Sequence, residues 1–114
     1  YGILFQRGST ASLRRVRIAG AHTAGVILFG CRIQAVDTEI LDTEPSPDGS
    51  FGRGLDLGCD HFGTGGCATL DATGLVVERS HEAGVFLAGG TLSLVGSLVA
   101  DTQPNQAVVW KLRR

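Results

Sequence analysis

Residues expected to face inward recur at every second position in short runs along this chain, as in Val85-x-Leu87, Leu92-x-Leu94 and Ser97-x-Val99, and glycine, serine or aspartate interrupts each run. Alternation with period two, rich in β-branched residues, predicts short strands that each bury one face. No stretch carries the i, i+3, i+4, i+7 apolar stripe of an amphipathic helix. The chain therefore reads as all-β.

The pattern repeats. Residues 21–45 align without a gap on residues 80–104, and ten of the 25 positions are identical, among them His22/His81, Gly25/Gly84, Gly30/Gly89, Asp42/Asp101 and Pro45/Pro104. Self-similarity at a fixed offset marks a stacked architecture. Within this unit, glycine followed by apolar-x-apolar occurs at Gly2, Gly25, Gly54 and Gly84, with a degenerate copy at Ala107, and the spacings are 23, 29, 30 and 23 residues. The two long spacings each contain a glycine- or proline-rich insertion, 44–53 and 59–66. A second anchor, Ile18, Ile40, Val77 and Val99, gives 22 residues between the members of each close pair. The predicted unit is a rung of about 22–23 residues with about three strands, repeated about four to five times.

Stacked rungs turn sequence alignment into spatial columns about 4.8 Å apart. Two inward columns are expected, Ile3–Val26–Leu55–Val85–Val108 and Phe5–Leu28–Leu57–Leu87–Trp110. Each buried side chain in them contributes roughly 1.5–3 kcal/mol. Between them an outward column, Leu4–Ile27–Asp56–Phe86–Val109, is apolar where a strand face in water should be polar. Such a strip calls for a cover. The candidates are the rest of a longer solenoid, a second protomer, another protein or a polysaccharide.

The "GVxLxG" strands at Gly25 and Gly84, the "LVxDTxP"-like endings at 40–45 and 99–104, and GRGLDL at 52–57 resemble the right-handed parallel β-helix superfamily of pectate-lyase-like proteins. The resemblance covers essentially the whole chain. It implies a right-handed parallel β-helix (β-solenoid) forming a single domain over 1–114, with two inserted loops, and an extracellular or cell-surface location. Leucine-rich repeats share the period but carry an asparagine ladder, and the only asparagine here is Asn105. Both ends of the chain fall close to strands, so a segment of a longer β-helix is expected.

Composition narrows the partners. Hydrophobic residues make up 43% and charged residues 18% of the 114, enough apolar material for a core. The 17 glycines have no collagen period and must serve turns. A net charge of −1 with scattered arginines gives no nucleic-acid footprint. The apolar runs are too short to predict a membrane span.

Candidate chemistry is sparse. Turn residues Gly20, Asp42, Arg79 and Asp101 form one polar column, in which Arg79 faces two carboxylates. His22, Glu44, His81 and Gln103 form another, with Glu44 expected between the two histidines as their charge partner. Cys59, His61 and Cys67 lack the spacing of a metal site, whereas a Cys59–Cys67 disulfide would pin the second insertion in an oxidising compartment. Cys31 is left as a partly buried free thiol. Polysaccharide lyases and hydrolases of the resembled superfamily need clustered carboxylates, and the strand-face column offers only Asp56. No catalytic residue, metal or cofactor is assigned. The expectation is a non-catalytic structural or binding segment, against two alternatives: part of a polysaccharide-active enzyme, or an oligomerisation module using the apolar face.

Overall fold

The computed structural model describes residues 1–6, 8–60 and 66–104. Twelve strands follow one another: β1 (Ile3–Gln6), β2 (Thr10–Arg14), β3 (Arg17–Ala19), β4 (Ala24–Phe29), β5 (Arg32–Val36), β6 (Glu39–Leu41), β7 (Arg53–Gly58), β8 (Thr69–Thr73), β9 (Val76–Glu78), β10 (Val85–Leu87), β11 (Thr91–Val95) and β12 (Leu98–Ala100). Among the described residues there is no helix, and so none long and apolar enough to cross a membrane. Every third strand joins the same sheet. The three parallel four-stranded sheets run β1-β4-β7-β10, β2-β5-β8-β11 and β3-β6-β9-β12. One pass through the three sheets is a rung, and the arrangement is compatible with a parallel β-solenoid.

The registers reproduce the columns. Ile3, Val26, Leu55 and Val85 are mutual partners, as are Phe5, Leu28, Leu57 and Leu87. Ile18, Ile40, Val77 and Val99 align in the third sheet. The core is built on Val26, Leu28, Ile33, Ile40, Leu55, Leu57, Leu70, Leu75 and Val77. It opens at the last described rung, where Leu87 is 48% and Val99 41% exposed. Inward side chains are buried by the rungs on both sides. The expected fifth members of these columns, Val108 and Trp110, lie outside the described residues.

Two corners explain the 22-residue rung. After the second strand of each rung the chain passes through Arg15, Asp37, Gly74 or Gly96, with φ of 51°, 48°, 68° and 56°. After the third it passes through Gly20, Asp42, Arg79 or Asp101, with φ of 72°, 55°, 56° and 55°. A single left-handed residue reverses the pleat and lets the next strand start on a new sheet. Non-glycine residues bear about 1–2 kcal/mol of strain there, and short polar Asp is among the few that tolerate it.

The glycine repeat has a different cause. Gly2, Gly25, Gly54 and Gly84 have ordinary φ, but a Cβ on each would lie less than 3.0 Å from a methyl carbon of Ile18, Ile40, Val77 and Val99 respectively. The two anchors seen separately in the sequence are thus one contact, in which the start of the first sheet presses against the third sheet. Beside it runs a column of inward hydroxyls. Thr43 and Ser80 are fully buried, and the oxygens Thr43 Oγ1 and Ser80 Oγ have no hydrogen-bond partner among the described residues. A buried, unpartnered hydroxyl costs stability that an apolar group of the same shape does not. Thr43→Val and Ser80→Ala should each stabilise the chain by about 1 kcal/mol, read as a rise in the denaturant midpoint with an unchanged slope.

Candidate functional site

The outward column of the first sheet forms as expected: Leu4, Ile27, Asp56 and Phe86 are successive register partners. Val109 lies outside the described residues. The column is not the open apolar strip that alternation predicts. Ile27 is only 9% exposed, and Leu4, Asp56 and Phe86 are half-buried.

Arg53 accounts for part of that cover. It is the last residue of the first insertion and the first of β7. Its guanidinium lies 3.6 Å from the centre of the Phe86 ring and 5.0 Å from that of Phe51. Its Nη1 donates to Asp56 Oδ2 at 3.2 Å and its Nε to Glu82 Oε1 at 2.6 Å. Arg53 and Asp56 side chains are 16% and 17% exposed, so solvent screens this pair less than an ordinary surface ion pair. A cation–π stack adds to it. The backbone delivers Arg53 here. Both Gly52 N and Arg53 N donate to Thr23 O, and His81 N donates to Gly52 O. Gly52 has a φ of 98°, and a Cβ on it would strike His81 Cβ. Only glycine passes that point.

Residues Arg53, Phe51 and Glu82 were not among the sequence candidates. A signal was present: Arg53 pairs with Ala24 in the register and precedes Gly54 where Ala24 and Ala83 precede their glycines. An arginine in an alanine column needs a partner. Arg53→Gln should lower stability by about 2 kcal/mol and speed proteolysis within 44–53, measured by thermal unfolding and limited digestion. Equal melting and digestion in the two proteins would contradict this role.

The histidine column is altered by the same insertion. His22 bridges Glu44 and His81 bridges Gln103, but Gly52 takes the place beside His81 that Glu44 was expected to fill. Glu44 forms no ion pair with either histidine among the described residues. Each imidazole faces a backbone carbonyl instead, with His22 Nδ1 3.3 Å from Pro45 O and His81 Nδ1 2.8 Å from Thr43 O. A carbonyl only accepts, so each contact is a hydrogen bond in the tautomer that carries a proton on Nδ1. The ladder is a set of turn contacts.

Arg79 forks onto Asp42, with Nη2 3.2 Å from Oδ2 and Nε bonded to Oδ1. Its second partner is Glu78 at 3.4 Å rather than Asp101. These bonds hold the Asp42 carboxyl below the usual carboxylate range. The fork is exposed, and surface pairs of this kind add little.

Cys59 and Cys67 form a disulfide across eight residues of sequence. His61 lies outside the described residues. The repeated glycines flank this bridge. A Cβ on Gly30 would strike Asp60 Cβ, and one on Gly89 would strike Cys59 Sγ. Cys31 is a free cysteine, more fully buried than expected, and burial pushes its thiol up from the ordinary value. Among the described residues no group of three or more His, Cys, Asp or Glu is placed to hold a metal ion.

No protein-family model matches the chain, and no curated protein or solved structure is significantly similar to it.

Proposed function

We propose that the chain is a segment of a right-handed parallel β-helix of the pectate-lyase-like kind, exported or displayed at a cell surface. In this reading it works as a non-catalytic scaffold that presents its outer strand faces to a polysaccharide or protein. One observation carries this over the enzymatic alternative. Asp56 on the first-sheet face and Glu82 in the turn before β10 both close on Arg53, so the guanidinium fills the place where reacting atoms would have to sit between the two carboxylates. The Cys59–Cys67 bridge supports an oxidising compartment. Burial of Ile27 and the stacking of Arg53 on Phe86 weigh against oligomerisation through that face.

The test is incubation of the purified chain with immobilised polysaccharides. The expected result is retention without release of reducing ends or unsaturated sugars. Release that disappears in Asp56→Asn would establish the enzyme instead. Light scattering on the wild type and Phe86→Asp should give the same mass for both.

A further inference from the structure

Two arginines on different outer faces stand in opposite surroundings. The second-sheet register brings Thr10, Arg32, Thr69 and Thr91 into one outward column and Ser12, Gln34, Asp71 and Ser93 into the next. Arg32 is exposed there and forms no hydrogen bond or ion pair among the described residues. Arg53 is enclosed instead. The Phe86 ring lies 3.6 Å from its guanidinium and the Phe51 ring 5.0 Å away, while Asp56 and Glu82 accept from two different nitrogens, Nη1 and Nε. Neither carboxylate has another cation partner among the described residues.

These four walls come from separate places: Phe51 from the first insertion, Asp56 from β7, Glu82 from the turn before β10, and Phe86 from β10. The backbone needs no arginine at this position. Ala24 is the register partner of Arg53, and Ala83 precedes Gly84 as Arg53 precedes Gly54. What the side chain adds is a cation seated in a box of two aromatic rings and two carboxylates. Ring faces attract a flat guanidinium, and carboxylates take the N–H groups on its edge.

We propose that this box is a binding site for the arginine side chain of a partner protein, held closed by Arg53 as its built-in occupant. The inference goes beyond the scaffold reading and does not depend on it. An incoming guanidinium takes over the ring and both carboxylates, so exchange leaves neither half-buried carboxylate unpaired. Arg53 can leave without loss of the strand. Its backbone N–H stays bonded to Thr23 O, and rotation of the side chain past the exposed Phe51 ring carries the guanidinium into solvent. A lysine fits less well, because a compact ammonium cannot lie flat on Phe86 and reach both carboxylates. Arg53 competes from a tether, at high effective concentration, so a free ligand meets a closed site in the wild type.

The experiment empties the box. Arg53→Ala gives this rung the residue that Ala24 and Ala83 supply to its neighbours, and it leaves Asp56 and Glu82 without a cation. The variant is titrated with the N-acetyl amides of arginine, lysine and citrulline, the last a neutral isostere of arginine, and followed by amide-shift NMR and thermal melting. The arginine amide should shift Asp56, Glu82 and Phe86 and raise the melting temperature. The lysine amide should bind about tenfold more weakly, and the citrulline amide should not bind. The wild type should bind the arginine amide at least about tenfold more weakly than Arg53→Ala does. Adding Glu82→Gln to Arg53→Ala should weaken binding about tenfold. If Arg53→Ala does not fold alone, the arginine amide should fold it and the citrulline amide should not. Equal responses to arginine and citrulline, wild-type binding as tight as the variant's, binding undiminished by Glu82→Gln, or no response to any ligand would each overturn the site. Polysaccharide retention by the wild type is read separately, so failure here leaves the scaffold reading standing.

Discussion

Gly54→Ala lowers the stability of the chain by about 3 kcal/mol, the upper end of the cost of forcing a methyl group into a filled core. The added Cβ would lie less than 3.0 Å from Val77 Cγ1, from Ser80 Oγ and from the carbonyl oxygen of Gly84. Val77 and Ser80 are fully buried, so neither can swing away, and the carbonyl belongs to the next rung. Relief would require the first and third sheets to move apart, loosening the inward columns above and below. The contrast that identifies the cause is Gly96→Ala. A Cβ there meets nothing within 4 Å, but φ is +56°. That substitution should cost about 1 kcal/mol through backbone strain alone. Chemical denaturation of both variants separates crowding from strain, and equal losses would mean that Gly54 is not a point of close approach.

Opening the Cys59–Cys67 bridge should be the second large effect. A double Cys59→Ser, Cys67→Ser variant is expected to lose about 2.5 kcal/mol, the loop-closure entropy for a ring of this size. The bridge also fills space. Gly30 packs on Asp60 at its base and Gly89 on Cys59 Sγ, so the cross-link sits between two rungs. The denaturant midpoint should fall in the variant, and by the same amount in the wild type under reductant. Thiol titration of the unfolded, unreduced wild type should find one free thiol, Cys31. Three free thiols, or a midpoint indifferent to reductant, would defeat the prediction.

The candidate site was only half legible. Its strand-face column was readable because strand register follows the inward apolar positions, which alternate through Val26, Leu28, Leu55 and Leu57. Its closure was not. Arg53 and Glu82 lie at the same corner of successive rungs, 29 residues apart, and only the return of the insertion between Thr23 and His81 joins them. That same return displaced Glu44 from His81, because an alignment of repeats leaves out the insertions. The polar outer face of the second sheet was not legible as a unit for a related reason. Its two columns are ordinary solvent-facing positions of alternating strands, and an unpaired charge is visible only once every neighbour has been placed.

By itself, the sequence determined the all-strand character, the rung length and the vertical columns. These follow from period-two alternation and from repetition along one direction, both of which survive in a linear string. Only the tertiary structure decided what meets across a rung: that the glycine anchor presses on the Ile18–Ile40–Val77–Val99 column, that Arg53 closes the apolar face, and that Arg32 stays unpaired. Those contacts join different sheets or different rungs. Their geometry depends on where the chain turns, which alternation and period leave open.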